Sequence, residues 1–148
     1  MRGAFALPVW LYEHRLGWLL GRRFLLLTHR GRRTGTIHRT MLEVILHDAI
    51  RNESIVLSAY GTRAQWYRNL LAAPGLRVQT GRLDYQPRHR ILSSDEARLA
   101  ALDFTREHPL EARLAPLVLK RIRATGAGAP ATSTDLVASL PLVAFRPR

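Results

Sequence analysis

Apolar and polar positions follow two different periods along this chain. In residues 5–20, FALPVWLYEHRLGWLL, Val9, Leu11, Leu16, Leu19 and Leu20 share much of one helical face, with Glu13, His14 and Arg15 on another. That pattern predicts an amphipathic helix entering at Pro8 and stopping at Gly21. From Phe24 the period changes. Phe24 to Thr28 is a nearly all-apolar run, read as a buried strand. Thr36 to His47 alternates in its later part, with Met41, Glu43, Ile45 and His47 on one side and Leu42, Val44 and Leu46 on the other. Between them stands Gly31-Arg32-Arg33-Thr34-Gly35, where a glycine at each end is expected to admit φ > 0 and a sharp turn. A strand-turn-strand hairpin follows. Asp48 to Asn52 reads as a second turn and Glu53 to Tyr60 as a third strand.

After Gly61 the helical period returns. Arg63 to Ala73 carries Trp66, Tyr67, Leu70 and Leu71 at helical spacing and ends at Pro74-Gly75. Leu76 to Thr80 and Leu83 to Leu92 read as strands around Gly81-Arg82, with Val78, Tyr85 and Ile91 pointing inward. Pro87 assigns the second of them to an edge or a bulge. Ser93 with Glu96 three residues on is a capping box, and it opens a helix bearing Leu99, Leu102 and Phe104. Beyond His108-Pro109 the pattern predicts a helix over Leu110 to Arg123, a small-residue linker over Ala124 to Thr134, a last strand over Leu140 to Phe145, and a frayed tail at Arg146-Pro147-Arg148. Five or six strands with short connections make an α+β plan with a mostly antiparallel sheet. At 148 residues the chain reads as a single domain: helix 1–21, core 22–107, and helix, linker and final strand in 108–148.

Charge changes this picture. The formal net charge is +12, and Lys120 is the only lysine, so the positive charge is almost all guanidinium. Between Glu13 and Glu43 there is no carboxylate, yet Arg15, Arg22, Arg23, Arg30, Arg32, Arg33 and Arg39 all fall there. Arginine forks, a threonine hydroxyl and free backbone N–H groups in one turn are the chemistry of an anion site. There are no cysteines, which excludes disulfides, thiolate metal centres and thiol catalysis. The apolar stretch Leu16 to Leu27 is broken by Arg22 and Arg23 and is too short to span a bilayer. No secretory signal is expected, and the chain is read as cytoplasmic. Trp10, Tyr12 and Trp18 beside arginines also suit peripheral contact with a membrane surface, against the alternative of a helix packed on its own domain.

Catalytic signatures are sparse. His14, His29, His38, His47, His89 and His108 show no metal-ligand spacing, and His29 and His38 flank an arginine turn hostile to a cation, so no metal is expected. No GxSxG, GxGxxG or P-loop pattern is present. Two features remain: the basic turn, and Ser58-Ala59-Tyr60-Gly61 leading into a helix with Trp66, Tyr67 and Asn69. Small residues at the strand end admit a planar ligand, and a helix start offers N–H donors.

The order THRGRRTG, HRTMLEV, LSAYG, QWYRNLLAAPG and LRVQTG resembles the deazaflavin (coenzyme F420)-dependent nitroreductase family over residues 16–107. The resemblance implies a split β-barrel, of the FMN-binding-like kind, with residues 22–107 as the cofactor-binding core. It implies hydride transfer from reduced coenzyme F420 to a small electron-poor acceptor such as a quinone, an enone or a nitroaromatic compound. Carried over by position, Arg32, Arg33, Thr34 and Gly35 would hold the phosphate and tail carboxylates, and Arg39 and Thr40 would lie in the segment under the cofactor. Ser58, Ala59, Tyr60 and Gly61 would stand beside the ring, and Trp66 and Asn69 on the helix that closes the pocket. Tyr60 is the candidate hydrogen-bond donor to the acceptor. Arg33 stands where lysine is common in the family, and Met41 where proline is common. FMN is the less favoured ligand. Two alternatives remain open on sequence grounds: a binding protein for a flavin, haem or lipid-like molecule on the same fold, and a basic nucleic-acid-binding module. The second lacks an aromatic strand motif or recognition helix.

Overall fold

Leu25, Leu26 and Leu27 are all buried, so the strand that carries them is covered on both faces. The computed structural model describes residues 14, 19, 21–58, 61–110, 112, 113 and 140–148. Strand β1 (Phe24–Arg30) pairs antiparallel with β2 (Ile37–Asp48), setting Leu27 opposite Thr40, Thr28 opposite Arg39 and His29 opposite His38. The turn between them is closed by Gly31 N–H to Thr36 O (2.8 Å) and Gly35 N–H to Gly31 O (2.9 Å). Its two glycines serve different purposes. Gly35 has φ +72°, whereas Gly31 lacks a positive φ and is needed for space: a Cβ there would lie 3.1 Å from His38 Nε2 and 3.3 Å from Thr36 O.

β2 is long enough to serve both halves of the sheet. Its first part pairs with β1 and its last part with β3 (Glu53–Leu57), with an irregularity between Val44 and Leu46. Strict alternation predicts Leu46 beside Leu42 and Val44. Instead Leu42 and Val44 pack in one core cluster and Leu46 joins Ile45 against the other, because a bulge shifts the side-chain period.

The remaining strands are β4 (Arg77–Thr80), β5 (Leu83–Tyr85), β6 (Pro87–Ile91) and β7 (Leu142–Pro147). Their order in the sheet is β5-β4-β1-β2-β3-β7-β6, and every pairing is antiparallel. The two outermost strands are joined by Gln86 alone, so the sheet curls into a nearly closed, split barrel. The run expected as one strand over Leu83 to Leu92 is thus two, one for each side of the seam. Pro87 has no N–H to give and opens β6, where it pairs with Pro147 of β7, so the expected single strand breaks just before it. Ile91, expected inside, is 42% exposed near the end of β6, while Val78 is buried and Tyr85 packs against the core.

The last strand runs two residues further than the sequence pattern indicates and lies inside the sheet between β3 and β6. Arg146 and Pro147 are therefore strand, not a frayed tail, and Arg148 N–H donates to Gln86 O at 3.1 Å. Helix α1 (Gln65–Ala72) places Trp66, Tyr67 and Leu70 against Leu25 and Leu27. Helix α2 (Ser94–Glu107) begins with the expected capping box, Ser93 and Glu96 each accepting from the other's backbone N–H. It buries Ala97, Ala100, Ala101 and Phe104 against Ile45, Ile55 and Leu142. Arg90 ties that helix to the sheet, giving two hydrogen bonds to the buried carboxylate of Glu53 (both 2.9 Å) and one to Glu96 (2.6 Å). The expected N-terminal helix, the linker and the helix beyond Arg113 fall outside the described residues, as do Ala59 and Tyr60. No described helix is long and apolar enough to cross a membrane.

Candidate functional site

The β1–β2 hairpin and the start of α1 enclose a cleft of about 590 Å³. The hairpin register builds one wall. His29, His38 and Thr40 fall on one face by strand alternation, the face that Leu27 turns toward α1. The turn adds Gly31, Arg32, Arg33 and Thr34, and β2 adds Arg39. The opposite wall is Arg63, Ala64, Gln65, Trp66 and Asn69, brought in by a 3₁₀ turn over Gly61–Arg63 and the first turns of α1. No side chain caps the start of that helix.

Among the described residues, four arginines line the cleft and no carboxylate does. Arg32 gives its Nη1 to Gln65 Oε1 and Asn69 Oδ1, both at 2.9 Å and both neutral acceptors. Desolvation, then the neighbouring Arg68 and Arg33, hold its guanidinium below the usual pKa. An anion in the cleft would relieve this clustering of like charge. Thr34 shapes the turn, donating its hydroxyl to Thr36 Oγ1 at 2.9 Å.

His29 is 3% exposed at the floor. Burial, with His38 stacked at a ring-centroid distance of 5.7 Å, pushes its pKa down to about 4, so the ring is neutral at physiological pH. Its Nδ1 meets Asn69 Nδ2 at 3.0 Å and its Nε2 meets Thr40 Oγ1 at 2.9 Å. Among the described residues no group of three or more His, Asp or Glu side chains converges as a metal site.

Of the residues singled out from the sequence, Arg32, Arg33, Thr34, Arg39, Thr40, Trp66 and Asn69 come together in the cleft lining. Gly35 sits in the turn outside that lining. Ser58 is fully buried and donates its hydroxyl to Gly61 O at 2.7 Å, so Ser58 and Gly61 form the bend into the 3₁₀ turn and are not in the lining. His29, His38, Gly31, Arg63, Ala64 and Gln65 were not singled out. The two histidines were legible in principle, since a six-residue connection between Arg30 and Ile37 sets His29 opposite His38.

The described strands form an antiparallel split barrel with a cationic cleft at its side. The chain belongs to the F420H(2)-dependent quinone reductase family, whose sequence model matches residues 9–108, and it is an oxidoreductase that uses coenzyme F420. The donor set fits that group, which carries a phosphate, carboxylates and a planar ring. Among solved structures, an F420-H2 dependent reductase (FDR-A) is similar at 17% identity and TM-score 0.54, over 85% of this chain and 96% of that one. A structure titled as a domain-swapped dimer matches at 16% identity and TM-score 0.53, over 95% and 100%. A pyridoxamine 5'-phosphate oxidase-related, FMN-binding protein from Nostoc punctiforme matches at 15% identity and TM-score 0.51, over 98% and 81%. These likenesses show the fold. No curated protein matches the chain.

Proposed function

We propose that the cleft holds reduced coenzyme F420 by its anionic tail and presents it to a small quinone, with enones and nitroaromatic compounds as further acceptors of the same electron-poor class. The observation that carries this reading is the meeting of Arg32, Arg33, Arg39 and Arg63 in one cleft with no carboxylate among the described lining residues. Arg33 and Thr34 on the turn, with Arg39 and Arg63 on the walls, take phosphate and carboxylate oxygens, while Arg32 is held in place by Asn69 and Gln65. Two or three charge-assisted contacts at ~1.5–3 kcal/mol each supply on the order of half of the ~8 kcal/mol that micromolar binding needs. Burial of the ring against Trp66 supplies the rest.

When bound, the coenzyme supplies the hydride. The chain's own work is orientation and exclusion of water. A quinone gains two electrons and two protons on reduction, and Tyr60, at the end of the SAYG segment, is the proposed hydrogen-bond donor to its oxygen. Gly35, Ser58 and Gly61 shape the backbone beside the site. A steady-state assay following loss of reduced F420 absorbance with a soluble quinone tests the reaction. Turnover that saturates in both reactants is expected; F420 binding without turnover by any quinone, enone or nitroaromatic acceptor would reduce the protein to a carrier.

A further inference from the structure

Arg32 approaches Asn69 Oδ1 with two groups that can only donate, its backbone N–H at 3.2 Å and its Nη1 at 2.9 Å. That fixes the amide by chemistry: the oxygen faces Arg32, so Nδ2 faces His29 Nδ1 at 3.0 Å. An amide nitrogen also only donates. His29 Nδ1 therefore accepts, and the proton of the neutral ring sits on Nε2. Nε2 in turn donates to Thr40 Oγ1 at 2.9 Å. Among the described residues His29 is the hydrogen-bond partner of that hydroxyl, so the hydroxyl's own hydrogen is left for the cleft that Thr40 lines. A directed chain thus runs from the arginine turn through Asn69 and His29 to Thr40, and each polarity along it is set by the one before.

We propose that His29 is a positioning residue of the coenzyme site: locked as the Nε2–H imidazole between Asn69 and Thr40, it makes the Thr40 hydroxyl an obligatory donor to an acceptor oxygen of bound F420. The proposal rests on the coenzyme reading of the cleft and goes beyond it by fixing the direction of one hydrogen bond. A reversed ring would turn the Thr40 hydroxyl inward and leave a ligand oxygen facing a lone pair. The arrangement also couples the two ends of the cleft, because the Arg32 that orders the turn is the same group that orients Asn69.

Two arms test it, the first without ligand. In protein labelled with ¹⁵N-histidine, imidazole nitrogen spectra at neutral pH are expected to show His29 as a single tautomer with its proton on Nε2. In Asn69→Asp, where the facing group can only accept, Nδ1 gains a proton. A proton on Nδ1 of the wild type, or an unchanged ring in the variant, overturns the proposal whatever the cleft binds. The second arm measures Kd for F420 by fluorescence. Thr40→Val is expected to weaken binding about 10-fold, as loss of one hydrogen bond to a charged or carbonyl acceptor does, and Thr40→Ser to restore it. Repeating this with the deazaflavin alcohol that lacks the phosphate separates a ring or side-chain oxygen (both ligands weakened) from a phosphate oxygen (only F420 weakened). Equal Kd for wild type and Thr40→Val overturns the proposal while leaving the coenzyme reading intact. Failure of the wild type to bind F420 overturns the coenzyme reading and the ligand-facing half of the proposal together.

Discussion

Asn69 and Arg32 lie 37 residues apart in sequence, and the Asn69 side-chain oxygen accepts both the backbone N–H and the guanidinium of Arg32. The contact joins the basic turn to α1 and so sets the width of the cleft. Asn69→Leu keeps the branched shape but leaves the Arg32 backbone N–H and His29 Nδ1 without their partner and the Arg32 guanidinium with Gln65 alone. A loss of about 2–3 kcal/mol in unfolding free energy is expected, measured by urea denaturation, together with weaker F420 binding.

Arg33 lines the cleft as Arg32 does, but it is exposed, whereas Arg32 is half-buried and bonded to Asn69 and Gln65. Arg33→Ala is expected to raise the Kd for F420 about 10-fold while leaving the melting temperature within ~2 °C of wild type. The double change Arg32→Ala with Arg33→Ala is expected to weaken coenzyme affinity far more than it lowers the rate at saturating coenzyme. A titration and a rate measurement on the same samples check both.

His29 gives the stability a definite pH dependence. Its folded pKa, about 4, lies below the ordinary 6.5, so between those values the unfolded chain binds a proton that the native ring does not. Stability contributed by the neutral ring is complete above pH 6.5 and falls by up to about 1.4 kcal/mol per pH unit toward pH 4. His47 and His89, lowered chiefly by burial, add in the same direction. The difference between wild type and His29→Gln in denaturation midpoints across this window isolates the His29 part, and equal slopes would contradict it.

The two turn glycines are expected to respond differently. Gly35→Ala puts a Cβ at φ +72° with open space around it, so it costs about 1 kcal/mol of stability with the cleft intact. Gly31→Ala drives a Cβ toward His38 and the backbone of Thr36, which moves the cleft wall. Coenzyme affinity should fall in the second and hold in the first.

Arg90→Met removes the partner of Glu53, which is 2% exposed. A buried carboxylate left alone costs on the order of 3 kcal/mol, so the denaturation midpoint is expected to drop sharply. Adding Glu53→Gln should recover part of that loss. Coenzyme binding survives in both, because none of Arg90, Glu53 and Glu96 lines the cleft.

The sequence displayed the hairpin, the capping box and the arginine turn because each is local: a glycine-flanked turn, an N-cap three residues before a glutamate, a run of like charge. It also displayed Arg32, Arg33 and Asn69, but not the bond between Arg32 and Asn69, which depends on the distance from the turn to α1 in three dimensions. The break at Pro87 was visible as a conflict within one expected strand, though its resolution required knowing that β5 and β6 lie on opposite edges of the seam. The interior position of β7 was hidden because sheet order is set by long-range pairing, and Leu142 to Phe145 reads the same at an edge or between two strands. His29 carries no positioning signal in sequence, where it stands between Thr28 and Arg30 at the edge of the arginine turn, while its partners in space are Asn69 and Thr40.

The most direct test of the cationic cleft is a fluorescence titration of the wild-type protein with F420 at two salt concentrations, beside FMN and a single-stranded oligonucleotide. Micromolar or tighter F420 binding is expected, weakened but not abolished by salt, with FMN weaker and the oligonucleotide weakest. No F420 binding at low salt together with tight oligonucleotide binding would contradict the account.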